Sequence, residues 1–290
     1  MRLIIHAGLH KTASTYLQAI LHRNMRMLHG AGVYFQPDHE MPANHSTAWH
    51  ALLGNPIGVR EHVRNAMSRG LKTMILSSED FEMMIFNHPS ARLAEDAARE
   101  AGATEIEWHF CLRDPGEYFA SQYAQMAHHV FVDFVAMFDT VMRNGRFLVL
   151  NRPRWQPRAW DHCFDYETHL TAFAEAVSGT LYLHDFRNAD PFPGHGILLD
   201  AVGRTLSYDL PTRADALNRR SSPEEVEALL ATKLDDAAAA AGVSDTTRQF
   251  LLGRTRVPPS IVEDCAAAVH RRFAPGMERM IEKYRAPAHR

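Results

Sequence analysis

Leu3-Ile4-Ile5-His6-Ala7-Gly8-Leu9-His10-Lys11-Thr12-Ala13-Ser14-Thr15-Tyr16-Leu17-Gln18 lies at the start of the chain and decides how the rest is read. Residues 3–7 form a short apolar run that predicts a buried strand, and Gly8 with the polar residues behind it predicts a turn. A helix follows at once. Leu17, Ile20, Leu21, Met25 and Leu28 recur at the spacing of one buried helical stripe, and Gly30 and Gly32 supply the stop. Strand, turn, helix is the opening of an α/β unit. N–H groups at the start of a helix are unpaired and together carry roughly half a positive charge, so such a turn is a natural cradle for a phosphate. Lys11 adds a full cation, and Thr12, Ser14 and Thr15 add hydroxyl donors.

Working outward, the same alternation recurs. Helices are predicted near residues 60–69 and 90–101, strands at 73–76 and 106–112, and a further helix from about residue 116. Alternating strands and helices imply a parallel sheet with right-handed crossovers. A helix over 131–143 comes next, then a Pro/Arg-rich loop at 151–158, and residues 166–177 lead into a strand at 180–184. The last third reads as helical, with Ser222-Pro223-Glu224-Glu225 as N-cap and first turn and a strong helix run at 237–241. The expectation is one α/β domain over residues 1–290, with a central parallel sheet flanked by helices and a helix-rich C-terminal third.

The 290 residues are 46% hydrophobic and 22% charged, with 31 Lys+Arg against 34 Asp+Glu and a net charge of −3. That balance provides no global field for a polyanion, so neither nucleic acid nor an anionic membrane is an expected partner, and any anion site must be local. No uncharged apolar run approaches the roughly 18 residues that span a bilayer, and residues 1–6 are too short for a signal-peptide core. A cytoplasmic protein is expected. Cys111, Cys163 and Cys265 are widely spaced with no C-x-x-C pair, and read as reduced thiols. The 18 histidines invite a metal hypothesis. The densest clusters, His128-His129 and His162-Cys163, lack H-E-x-x-H or other ligand spacing, so no metal is expected.

A triphosphate-binding P-loop needs G-x-x-x-x-G-K-[ST]. Lys11-Thr12 satisfies the last two positions, but His10 replaces the second glycine and Ile5 the first. A second segment points elsewhere. The strand ending Phe110-Cys111-Leu112 runs into Arg113-Asp114-Pro115 and then a helical pattern, Glu117-Tyr118-Phe119-Ala120-Ser121-Gln122-Tyr123. Pro115 suits the first helical position, which puts Glu117, Ser121 and Gln125 on one face. Arg is the residue for a phosphate because its planar fork donates two parallel hydrogen bonds.

Together the two segments resemble the phosphate signatures of sulfotransferases: Lys11-Thr12-Ala13-Ser14-Thr15-Tyr16-Leu17-Gln18 matches K-T-G-[ST]-T-x-L-Q with Ala13 in place of glycine, and Arg113 and Ser121 match a strand-end Arg and a Ser eight residues on. That resemblance implies 3′-phosphoadenosine 5′-phosphosulfate as donor. Its 5′-phosphate would sit on Lys11, Thr12, Ala13, Ser14 and Thr15, its 3′-phosphate on Arg113 and Ser121, and no metal would be needed. Residues 44–52, a His-containing segment like one in bacterial members, together with 76–79, 217–224 and 272–279, are compatible fragments. The departure at Ala13 matters only if that residue needs positive φ.

The resemblance implies transfer of a sulfuryl group to a hydroxyl or amine on a small molecule or glycan. Sulfuryl transfer places charge on the bridging and equatorial oxygens, so catalysis is positioning and electrostatic stabilisation. Lys11 is the group to neutralise the leaving oxygen; His10 either donates to the transferred group or caps the turn. Candidate general bases are His45 and Glu79, with Glu40 behind. Phe186 or Tyr182 offers an adenine slot, and Phe131, Phe134, Met137 and Phe138 either line an acceptor pocket or face the core. The alternatives are a P-loop kinase or other NTP-binding protein, and a nucleotide-binding relative without catalysis. Acceptor and oligomeric state are not encoded in any motif.

Overall fold

The computed structural model describes residues 1–38, 42–151, 158–188, 191–210, 221–253 and 256–286. In chain order the elements are β1 (Arg2–His6), α1 (Ser14–Arg23), α2 (Met25–Gly30), β2 (Val33–Tyr34), α3 (His45–Leu52), α4 (Ile57–Ser68), β3 (Thr73–Ser77), a 3₁₀ segment (Glu79–Ile85), α5 (His88–Glu100), β4 (Glu105–Leu112), α6 (Pro115–His129) and α7 (Phe134–Asn144). They continue with β5 (Arg146–Asn151), β6 (Arg158–Cys163), α8 (Tyr166–Ala176), β7 (Thr180–Asp185), α9 (His195–Val202), α10 (Arg204–Asp209), α11 (Pro223–Ala241), α12 (Asp245–Gly253) and α13 (Pro259–Lys283).

Five strands form an all-parallel sheet in the order β2-β3-β1-β4-β7. Both faces are covered. Leu3, Ile5, Met74, Leu76, Trp108 and Phe110 pack on one side, and Ile4 and Ile75 meet Leu17, Ile20, Leu21, Ile197 and Leu198 of α1 and α9 on the other. A parallel sheet buried on both faces is what apolar strands joined by helical crossovers form, as expected from the alternation in the sequence. The C-terminal region is helix-rich, and Ser222 and Glu225 form a reciprocal capping box at the start of α11. No helix among the described residues is long and apolar enough to cross a membrane.

Two local expectations are corrected, and one pair of strands is added. The first helix is not continuous: it breaks at Asn24, which sits at φ −105° and ψ 14° with its side-chain amide donating to the Ile20 carbonyl at 2.9 Å beside its own N–H. The helix expected from residue 131 starts at Phe134, because the Asp133 carboxylate accepts from the Ala136 N–H at 2.9 Å and caps it there. An antiparallel pair, β5 with β6 in register Phe147↔His162, has no counterpart in the expectation, while residues 152–157 of the loop expected at 151–158 lie outside the described residues. Its second strand, Arg-Ala-Trp-Asp-His-Cys, carries too many polar residues to announce itself.

Candidate functional site

Chain connectivity fixes where a ligand belongs. From β1 the chain leaves toward β2 and β3 on one side of the sheet, whereas from β4 it leaves toward β7 on the other. The carboxyl ends of β1 and β4 therefore flank the topological switch point, where open α/β sheets form their binding crevice. The Lys11 turn follows β1 and Arg113 follows β4.

The turn is held tightly. Gly8 has no room for a side chain, because a Cβ would run into Ser14 Oγ and the His6 ring. Lys11 and Ala13 both take positive φ, at 62° and 63°, and Ala13 is the N-cap of α1 with no side-chain cap bond. The condition under which alanine at 13 matters is thus met: the left-handed region costs an L-residue about 1–2 kcal/mol. Ala13→Gly is expected to stabilise the fold by about 0.5–1 kcal/mol, the relief being partly offset by the greater freedom of glycine in the unfolded chain. A denaturant midpoint that falls in this variant would show that the turn is not strained. The Thr12 hydroxyl is buried and donates to the Leu9 carbonyl at 2.6 Å, so it braces the turn and is not directed at a ligand. Ser14 Oγ is buried at the start of α1 with no hydrogen-bond partner, and Thr15 lies beside it in the first turn.

Arg113 brings the two segments together. Its Nη1 donates to the Lys11 carbonyl at 3.1 Å and lies 3.4 Å from Ser121 Oγ. Nε donates to Glu117 at 3.2 Å, the guanidinium lies 5.0 Å from the centre of the Phe186 ring, and Tyr166 OH donates to the Arg113 carbonyl at 3.0 Å. Burial and the nearby charge of Arg113 lower the Lys11 pKa, with Glu79 opposing them. The charges of Lys11 and Arg113 thus act on one another at the two strand ends, with Glu117 paired to Arg113 and Glu79 acting on Lys11.

On the other side of the turn stand the candidate bases. His45 Nδ1 lies 3.0 Å from Asp80 Oδ2 and 2.9 Å from Ser78 Oγ, and His45 Nε2 lies 3.8 Å from Glu79 Oε2. Burial opposes the charged imidazole, but the Asp80 hydrogen bond and the charges of Glu79 and Asp80 outweigh it and raise the His45 pKa. Gln18 Nε2 donates to Glu79 Oε2 at 2.9 Å. His45 and Glu79 are therefore one cluster. Glu40 lies outside the described residues.

His10 is tied to a carboxylate that sequence reasoning did not single out. Glu82, in the 3₁₀ segment, is fully buried and accepts from His10 N at 3.1 Å, His10 Nδ1 at 2.8 Å, Tyr118 OH at 3.0 Å and Cys163 N at 3.1 Å. Burial pushes Glu82 up, yet the hydrogen bonds and charges of His10 and His162 hold its pKa down at about 2. His10, desolvated but paired to Glu82, is raised. The only sequence signal was an acidic run with Glu79 and Glu82 three apart. His162 brings its Nδ1 to 3.9 Å from Glu82, and the donor atoms of His10, Glu82 and His162 lie within 4.8 Å of one another. Because Glu82 is already saturated by hydrogen bonds, this triad reads as an anchor for the turn.

The pair sets a pH window. Glu82, depressed from 4.5, contributes stability that is present above that value and lost as pH falls toward 2; His10, raised above 6.5, contributes stability that is lost as pH climbs through its folded-state pKa. Asp38 and Glu107, also held at about 2, steepen the acid limb. Burial holds His6 down at about 3 and lowers His162, so the unfolded chain takes up more protons than the folded one from about pH 6.5 downward. Urea midpoints are expected to fall steadily as pH drops from about 6.5 to 2; a midpoint flat from pH 5 to pH 2 would contradict this.

Of the aromatic candidates, Phe186 borders the crevice, whereas Tyr182 packs on His109 with ring centres 5.2 Å apart, on the sheet face under α9. Phe134 and Met137 are core residues, and Phe138 packs on Phe119; Phe131 is 43% exposed. The core reading of that helix therefore holds for its buried members. A cavity of about 650 Å³ opens between α6, α11 and α13, walled by Ala120, Tyr123, Val226, Val262 and Ala266, and shares Glu117 with the Arg113 contacts. No family model, curated protein or solved structure matches this chain.

Proposed function

We propose that this protein is a sulfotransferase that moves a sulfuryl group from 3′-phosphoadenosine 5′-phosphosulfate to a hydroxyl or amine of a small-molecule or glycan acceptor. The observation that carries the reading is the contact of Arg113 with the Lys11 carbonyl and Ser121, which joins two phosphate-type motifs 102 residues apart at the switch point of the sheet. A ligand with two phosphates suits two neighbouring cations carried on separate strand ends; a triphosphate chain suits the short turn poorly.

In this reading the α1 N-terminus, with Ser14 and Thr15, holds the 5′-phosphate, and Arg113 with Ser121 holds the 3′-phosphate. Lys11 neutralises the bridging oxygen as the S–O bond to the donor breaks. His10, its Nδ1 fixed on Glu82, presents its other ring nitrogen to the transferred group. The acceptor's proton passes to the His45–Glu79 cluster, where Asp80 orients the imidazole.

Adenosine 3′,5′-bisphosphate without Mg²⁺ is expected to stabilise the chain, by about 2.7 kcal/mol at a hundred times its Kd, while ATP does not. Stabilisation by Mg²⁺-ATP alone would favour a kinase. Transfer of radiolabelled sulfate to an acceptor library separates an enzyme from a mere nucleotide binder. His45→Gln and Glu79→Gln are each expected to lower kcat by about 10²–10⁴ with donor affinity kept; unchanged kcat in both would remove the base from this cluster.

A further inference from the structure

The β4 strand contains an anomaly. A central strand of a parallel sheet is buried on both faces and ordinarily reads as a continuous apolar run, yet Glu105-Ile106-Glu107-Trp108-His109-Phe110-Cys111-Leu112 alternates polar and apolar while being buried from Ile106 onward. The polar positions face α9. There His109 meets His184 of β7, Nδ1 to Nε2 at 2.9 Å, and Asp200 of α9, Nδ1 to Oδ2 at 4.0 Å. The three side chains are 0%, 1% and 3% exposed, and their donor atoms all lie within 4.8 Å of one another.

We propose that His109 Nδ1, His184 Nε2 and Asp200 Oδ2 bind a divalent first-row transition cation of the zinc class, which pins α9 to the sheet. Two ligands of a tetrahedral ion with bonds of 2.0–2.1 Å stand about 3.3 Å apart, and the observed 2.9 and 4.0 Å bracket that spacing. The 4.0 Å separation is too long for a hydrogen bond and suits two ligands of one ion. Two imidazoles with one carboxylate form a borderline donor set that favours Zn²⁺ or Co²⁺ over Ca²⁺ or Mg²⁺.

The surroundings have the form of an outer coordination sphere. Glu107 Oε2 lies 3.1 Å from His109 Nε2, so Nε2 carries the ring proton and Nδ1 presents its lone pair toward His184 and Asp200. Glu107 is itself clamped by Arg2, Nε to Oε1 at 2.8 Å and Nη2 to Oε2 at 2.7 Å, and Arg2 Nη1 donates to the Asp200 carbonyl at 2.6 Å. A carboxylate behind a ligating histidine fixes its tautomer and raises its basicity. Arg2 thus steadies both the backing carboxylate and the helix that supplies the third ligand. In the triad at Glu82, by contrast, the carboxylate is consumed by three other donors, His10 N, Tyr118 OH and Cys163 N.

The test uses the full chain, stripped with a chelator and titrated with Zn²⁺ and, separately, Co²⁺. One ion per chain is expected, with a rise in Tm and visible ligand-field absorption for Co²⁺. Glu107→Gln is expected to weaken the ion by about 10–100-fold, Asp200→Asn and His184→Ala to weaken it further, and His162→Ala to leave it unchanged. Far-UV circular dichroism checks that each variant folds; if the direct-ligand variants do not, the Glu107→Gln shift decides. Saturation only above about 100 μM, loss of the ion in His162→Ala, or retention at full affinity in Glu107→Gln and Asp200→Asn would each overturn the assignment.

Discussion

Glu82→Gln is expected to lower the unfolding free energy by about 3–5 kcal/mol, the cost of removing one partner of a buried charge pair. The value falls toward the lower end because His10 keeps 22% of its side chain exposed and can recruit water. The substitution does more than remove a charge. An amide presents an NH₂ where the carboxylate accepted from Tyr118 and Cys163 or from His10, so at least one buried donor is left facing another donor. Because Glu82 joins the Lys11 turn, α6 and the β5–β6 hairpin, the loss propagates into the crevice. Urea unfolding at pH 6 measures it, and a change under about 1 kcal/mol would mean that Glu82 is not the anchor. Tyr118→Phe, which removes one donor and leaves the charge paired, is expected to cost only about 1–2 kcal/mol.

Arg113→Ala is expected to weaken binding of adenosine 3′,5′-bisphosphate by roughly 10- to 150-fold, corresponding to about 1.5–3 kcal/mol for charged, bidentate contacts. The guanidinium also rests on Phe186 and holds the Lys11 carbonyl, so part of the loss comes from a loosened turn. Arg113→Lys separates the contributions: it keeps the charge and discards the fork, so it is expected to recover less than half of the binding free energy. Calorimetric titration reads both, and unaltered affinity in Arg113→Ala would remove the 3′-phosphate assignment. Lys11→Ala is expected to cut turnover more than donor affinity, because a cation that meets the leaving oxygen acts most strongly in the transition state. Equal losses in both would place Lys11 in ground-state binding alone.

Much of the frame was legible because its causes are local. Apolar strands between helical stripes specify the parallel sheet; Pro115 behind Asp114 starts α6, and Ser222 with Glu225 starts α11. The two segments that meet at the crevice were also legible, since each carries its own donors within a few residues. His45 and Glu79 were both picked out, but their adjacency was not. The β5–β6 hairpin was missed although Phe147-Leu148-Val149-Leu150 is an apolar run of strand type; β6 has no such pattern, and its end is fixed by the bond from the Cys163 N–H to Glu82.

The amino-acid order by itself determined the alternation of strand and helix, the strand ends at which Lys11 and Arg113 stand, and the small polar turn between them, because propensity, capping and hydrophobic period act over a handful of residues. Only the tertiary structure decided that Ala13 must adopt positive φ, that Glu82 is the counter-charge of His10, and that His109, His184 and Asp200 converge beneath α9. Such outcomes depend on which buried groups meet once the core closes: a desolvated charge or imidazole takes the nearest partner in space, and that partner's distance along the chain leaves no trace in the spacing of residues.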